Sequence, residues 1–98
     1  MGARATPSHD PPKVRGSKPH GRFAMNLRAA RVAADLSQDE LAERCCLHRT
    51  EVSLLERGGR EPRLGTLIKL ASALGVSPEN LCAGIGWDVD RQRFRFRS

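Results

Sequence analysis

Tyrosine is absent from this 98-residue chain, tryptophan occurs once and phenylalanine three times. Sheet sandwiches and barrels fill their cores with aromatic and β-branched side chains. A chain that is 4% aromatic and rich in Leu, Val and Ala is therefore read as a small helical domain. No stretch approaches the roughly 20 apolar residues that cross a bilayer, and no apolar run follows the first positive charges as in a secretory signal. No membrane partner is expected, and the expected compartment is a reducing cytoplasm. The three cysteines, Cys45, Cys46 and Cys82, are odd in number and include no CxxC pair, which argues against a disulfide framework or a zinc site. His9, His20 and His48 are scattered, and no nucleophile–base set or glycine-rich phosphate loop is present. An enzyme, a metal and a cofactor are all unexpected.

What is present is positive charge, unevenly placed. The chain is formally +6, which suits a polyanionic partner. Residues 1–22 hold five basic side chains against Asp10, and residues 84–98 hold Arg91, Arg93, Arg95 and Arg97 against Asp88 and Asp90. Residues 23–83 balance eight of each sign. Any anion-binding face on that middle segment must arise by segregation. Acids do cluster at Asp35, Asp39, Glu40 and Glu43, while Arg49, Arg57, Arg60 and Arg63 follow.

Residues 1–22 are rich in Pro, Gly, Ser and basic residues and cannot bury enough surface to offset ordering, so a disordered arm is expected. It serves either as a plain tail or as a basic arm touching phosphates. A first helix is read over Phe23–Asp35 from Leu27, Ala30 and Ala34. Ser37-Gln-Asp-Glu40 is a capping box, and the helix it opens runs to Arg44 or Cys45 with Leu41 and Ala42 inward. Cys45, Cys46 and Leu47 form a turn. A third helix spans His48–Arg57: Val52 and Leu55 face inward, while Thr50, Ser53, Leu54 and Arg57 line the opposite side with Arg49 beside them. Those are side chains that touch phosphates, base edges and a thymine methyl rather than the Lys/Glu pairs of a plain solvent face. Gly58-Gly59 ends it. Leu64–Leu74 is a fourth helix with Leu64, Leu67, Ile68, Ala71 and Leu74 on one stripe. Ser77-Pro78 opens a short fifth. In residues 84–98 the period changes to alternation at Ile85, Trp87 and Val89 and at Phe94 and Phe96, the pattern of a β-hairpin; a frayed tail with Trp87 against the core is the other reading.

With those residues in hand, the span Asn26–Leu81 resembles the phage-repressor-like helix-turn-helix family of Cro/C1 or XRE type. The resemblance rests on Arg28 and Arg31, LSQDELA, HRTEVSLLERG and EPRLGTLIKLASALGVSPENL, in order and at the family spacing. It implies an all-α, five-helix lambda-repressor-like domain over 23–83, and double-stranded DNA as partner. It also implies roles. Gln38 would contact a backbone phosphate and brace the reading helix. His48, Arg49, Thr50, Ser53 and Leu54 would enter the major groove, with Arg49 and Thr50 the foremost base readers. Arg57 would contact the backbone, and Arg63 neighbouring phosphates or the minor groove, with Arg60 in the same basic loop. Arg31 and Glu56 would be a structural pair tying the first helix to the third. Two positions depart from the pattern. Cys46 stands where the family often has Gly, and Glu51 is acidic on the reading helix, either accepting from a cytosine amine or pointing away.

The leading expectation is thus a prokaryotic transcriptional regulator binding a palindromic operator as a homodimer. An antitoxin-like or bridging module, with a protein partner at Ile85, Trp87, Phe94 and Phe96, is the alternative. A thiol or metal sensor built on Cys45, Cys46, His48 and Cys82 fits no ligand template, and buried cysteine acting as a small hydrophobe explains those residues better.

Overall fold

A computed structural model describes residues 18–97. Among these residues five helices are followed by one hairpin: α1 Pro19–Ala33, α2 Gln38–Cys45, α3 Arg49–Glu56, α4 Leu64–Leu74, α5 Pro78–Leu81, β1 Ile85–Asp88 and β2 Arg93–Phe96. The arm expected over 1–22 lies outside the described residues up to Ser17. From Pro19 the chain is helical, four residues ahead of the expected start at Phe23, with Pro in the first turn where its missing N–H is harmless. α1 also stops earlier than expected. Asp35 takes a positive φ of 59°, and the Leu36 N–H reaches back to the Arg31 carbonyl at 3.2 Å, closing the helix end.

Local signals set the other boundaries. The Ser37 hydroxyl accepts from the Glu40 N–H at 3.0 Å while the Glu40 carboxylate accepts from the Ser37 N–H at 2.8 Å, the reciprocal pair expected from the sequence. Gly75 closes α4 at φ 72°, and Ser77 caps α5 through the Asn80 N–H at 3.2 Å.

One core serves all five helices. Leu27 of α1, Leu41 of α2, Val52 and Leu55 of α3, Leu70 of α4 and Leu81 of α5 are fully enclosed. Burying each such side chain stabilises the fold by about 1.5–3 kcal/mol. α2 packs on α3 and α4, α1 on α3 and α5, and α4 on α5. Cys45 belongs to this core and behaves as a small hydrophobe, its thiol pushed up by burial, as is that of Cys82. The α4 stripe read from the sequence is corrected in part: Leu64 is 75% and Ile68 46% exposed, whereas Leu70, Ala71 and Leu74 are buried. Asn26, unremarked in the sequence, fastens α1 to the end of α5. Its side-chain amide donates to the Leu81 carbonyl at 3.0 Å and the Ala83 carbonyl at 2.9 Å.

The hairpin is antiparallel with Ile85 opposite Phe96 and Trp87 opposite Phe94. Asp88 shapes its turn by accepting from the Arg91 N–H at 3.0 Å, and Gln92 returns the chain at φ 56°. Two strands alone are marginal; here β1 rests on α1, Ile85 packs against the core, and Arg22 of α1 lies over the Phe96 ring at 5.8 Å and donates to the Arg97 carbonyl. Trp87 and Phe94 meet edge to face at 4.9 Å but stay exposed, as does Val89.

Candidate nucleic-acid interface

The α2–α3 pair is held by one network. Arg31 of α1 donates from Nε to Glu56 Oε2 at 2.5 Å and from Nη2 to Glu56 Oε1 at 3.0 Å, while its Nη1 donates to the Leu36 carbonyl at 2.8 Å. Gln38, the first residue of α2, donates to the same Glu56 Oε1 at 3.1 Å. The Glu56 side chain is only 3% exposed and that of Arg31 13%. The carboxylate therefore sits among donors from α1 and α2, and it holds the Arg31 guanidinium even more firmly protonated than usual, chiefly through the shared hydrogen bond. A forked arginine–carboxylate contact fixes orientation as well as distance, so the C-terminal end of α3 is locked to the two helices behind it. The pair expected of Arg31 and Glu56 is present. Gln38 braces α3, but it does so by a bond inside the protein.

The turn between α2 and α3 is left-handed at Cys46, with φ 55° and ψ 44°. This is the strained conformation that the Cys-for-Gly departure implied. Cys46 is exposed while its neighbour Cys45 is buried, as adjacent residues at a helix end must be when only one can face the core.

On α3, Val52 and Leu55 are fully buried and Arg49, Thr50 and Arg57 are exposed, with Glu51, Ser53 and Leu54 half-buried between them. His48 is the N-cap residue rather than a member of the helix, and its side chain makes no capping bond. It remains at the same end as Arg49 and Thr50 and is exposed. An open groove runs along this outer face, with His48, Thr50, Leu54, Arg57 and Arg60 among its walls. Of the sequence-selected residues, His48, Thr50, Glu51, Leu54, Arg57 and, from the following loop, Arg60 line this groove, while Arg49 is exposed and Ser53 half-buried on the same helix. Arg63 is exposed and is the N-cap residue of α4, outside that groove wall.

Two carboxylates pair with arginines at this interface: Asp39, which sequence reasoning had not placed here, and Glu51, which it had placed on the reading helix. Asp39 Oδ1 of α2 lies 3.4 Å from Arg49 Nε, both side chains well exposed. Glu51 Oε1 lies 3.2 Å from Arg60 Nη1, so Glu51 turns along the surface toward the loop. Neither pairing had a sequence signal, because each joins residues nine or ten apart that only the turn between elements brings together.

The HTH_3 helix-turn-helix family model matches residues 27–81, more than half of the chain. The control protein C.BamHI of Bacillus amyloliquefaciens is 42% identical over 60 residues, covering 60% of this chain and 74% of that protein. Among solved structures, the restriction-modification controller protein C.AhdI of Aeromonas hydrophila superposes with a TM-score of 0.60 at 42% identity, over 61% of this chain and 91% of that one. The hypothetical transcription factor NHTF from Neisseria superposes at 0.63 and 35% identity, over 80% of this chain and 86% of that one. The α2–α3 motif lies within the matched span, and this chain belongs to the HTH_3 (Cro/C1, XRE-type) family of helix-turn-helix DNA-binding transcriptional regulators.

Proposed function

We propose that the chain reads a specific, two-fold-related operator as a homodimer, α3 lying in the major groove. One observation carries this reading: the outer face of α3 offers Arg49, Thr50, Ser53, Leu54 and Arg57 together, while its inner face and its C-terminal end are fixed by the core and by Glu56. A rigid helix with polar, Arg-bearing side chains aimed outward is what base readout requires. Arg49 and Thr50 read bases, with Arg49 exchanging Asp39 for a guanine edge; Arg57, Arg63 and Gln38 serve the backbone. One domain of this size makes few base contacts, so two copies on half-sites about one helical turn apart supply the affinity. The exposed Leu64 and Ile68 give a second copy apolar surface to cover. A relative named as a control protein and a solved one named as a restriction-modification controller protein support a regulatory role.

The test is selection of bound sequences from random DNA, followed by gel shifts of wild type and the double variant Arg49→Ala/Thr50→Ala. A palindromic consensus, bound by wild type and lost in the variant, is expected. Equal, sequence-blind binding by both proteins refutes the reading.

A second reading, a protein-binding role, is favoured by the exposed Trp87, Val89 and Phe94. The four residues expected to meet such a partner share one face of the hairpin; the helices cover Ile85 and Phe96 at its base, and Trp87 and Phe94 stay exposed beyond them. A stoichiometric partner recovered from native extract, lost on truncation after Gly84, supports it; a chain that purifies alone under those conditions counts against it.

A further inference from the structure

Glu51 is the acidic residue on a face built for a polyanion, and the geometry points to a positive use for it. We infer that Glu51 is a positioning residue: it holds Arg60, which lies outside α3, so that this arginine becomes a further base reader selecting guanine in the major groove. The inference rests on the operator-reading proposal above and adds a specificity determinant to it.

The backbone brings the two together. α3 ends with Gly58 at φ 73°, the Gly58 N–H donating to the Leu55 carbonyl at 3.2 Å and the Gly59 N–H to the Leu54 carbonyl at 3.0 Å. This glycine closure bends the chain back over the helix it has just left. The bend is tight at Gly59, where an added Cβ would overlap the Leu54 side chain, with Cγ only 3.2 Å away. Arg60 is the next residue, so it is delivered beside Leu54 and into the groove that Thr50 and Arg57 also line.

The side chains then fix the guanidinium. Both Glu51 oxygens approach the same nitrogen, Arg60 Nη1, at 3.2 and 3.5 Å. Holding Nη1 leaves the Nε–Nη2 edge as a fork of two parallel donors. That fork matches the O6 and N7 acceptors of guanine. The Arg60 side chain is 54% exposed and that of Glu51 26%, so the carboxylate lies lower on the surface and the arginine stands above it. An exposed ion pair of this kind adds little to folding stability. Its effect falls on binding: an arginine already held in one arrangement loses less side-chain freedom when it meets a base. Neutralised by Arg60, Glu51 also presents less charge to the phosphates than an unpaired carboxylate would.

A double-mutant cycle tests this on the duplex selected by the wild-type chain, with affinities measured by fluorescence anisotropy at fixed salt. Arg60→Ala should weaken binding about 30-fold and relax a guanine preference at one position per half-site. Glu51→Ala should weaken binding by a smaller factor, about 5-fold, and relax the same position. The double variant should bind no more weakly than Arg60→Ala alone. Thermal unfolding of all three should match wild type, which separates positioning from a folding role. Three results overturn the inference. One is multiplicative losses in the double variant. Another is Glu51→Ala relaxing a different base pair from Arg60→Ala, as direct reading of cytosine would. The third is tighter binding by Glu51→Ala, as simple repulsion would give. In each of these the wild type still discriminates sequence, so the operator-reading proposal stands. A wild-type chain that selects no sequence overturns both.

Discussion

Cys46 and Arg31 are single residues whose surroundings set their effects. Cys46 occupies the left-handed turn of the motif with its side chain exposed, so replacing it with glycine removes strain and loses no packing. Relief of about 1–2 kcal/mol, less about 0.4–1 kcal/mol for the freer unfolded chain, leaves Cys46→Gly more stable by about 1 kcal/mol. Urea unfolding monitored by circular dichroism reads the change, and a lower midpoint would contradict the strain argument. Arg31→Ala acts in the opposite direction, because Glu56 would keep its burial and lose the fork that neutralises it. A loss of about 3 kcal/mol is expected, with Arg31→Lys intermediate because an ammonium restores the charge without the fork. Equal stability of Arg31→Ala and wild type in the same denaturation would show that the network adds nothing. Both sites were legible in the sequence, one as a Cys-for-Gly departure and one as a family pair. The role of Gln38 was half legible. Its bracing of α3 is seen, but through Glu56, a partner that only the packing of α2 against α3 supplies.

Elements were legible in proportion to how local their signals are. The capping box that begins α2 involves four consecutive residues and is present as expected. It also carries a pH dependence. The Ser37 backbone N–H, and then its hydroxyl, hold the Glu40 carboxyl below the ordinary glutamate range. A lowered folded value means that this contribution is complete above the unfolded pKa of about 4.3 and is lost as pH falls through the folded value. Glu40→Gln keeps the reciprocal bonds but not the charge. Its melting temperature should therefore fall less than that of wild type between pH 5 and 3, and parallel curves would exclude a role for this carboxylate. α4 was less legible. It is apolar around most of its circumference, so spacing could not choose which stripe is buried; contact with α2 and α5 encloses Leu70, Ala71 and Leu74 and leaves Leu64 and Ile68 outside. In the hairpin, alternation identified the apolar face, but only Ile85 and Phe96 gain cover from the helices, through the overlap of β1 with α1.

For the molecule as a whole, the proposed function assigns different parts of binding to different parts of the charge distribution. The neutral middle carries the aimed arginines and the two ends carry the excess. Bulk attraction scales with phosphate contacts, each adding about 0.9 to the slope of log affinity against log salt. Deleting residues 1–17, which contain Arg4, Lys13 and Arg15, should weaken specific and random duplexes by the same factor and flatten that slope by no more than about 3. Salt titrations of the full and shortened chains on both duplexes measure it. A change in the selected sequence would instead make this segment a reader.

The sequence by itself determined the five helices, the identity of the buried side chains on α2 and α3, and the outward row on α3. Each of these depends on residues within one or two turns of each other: a cap, a glycine stop, an i, i+3 pair. Tertiary structure decided which charges meet. Arg49 meets Asp39, Arg60 meets Glu51, and Glu56 gathers Arg31 and Gln38. Those pairings depend on the angle at which one element returns across another, set by Cys46 and Gly58 in left-handed turns and by a core shared among all five helices. Electrostatic contacts a few ångströms long are fixed only once that angle exists, so the residues on the outward side of α3 could be listed from the sequence while the ion pairs they make could not.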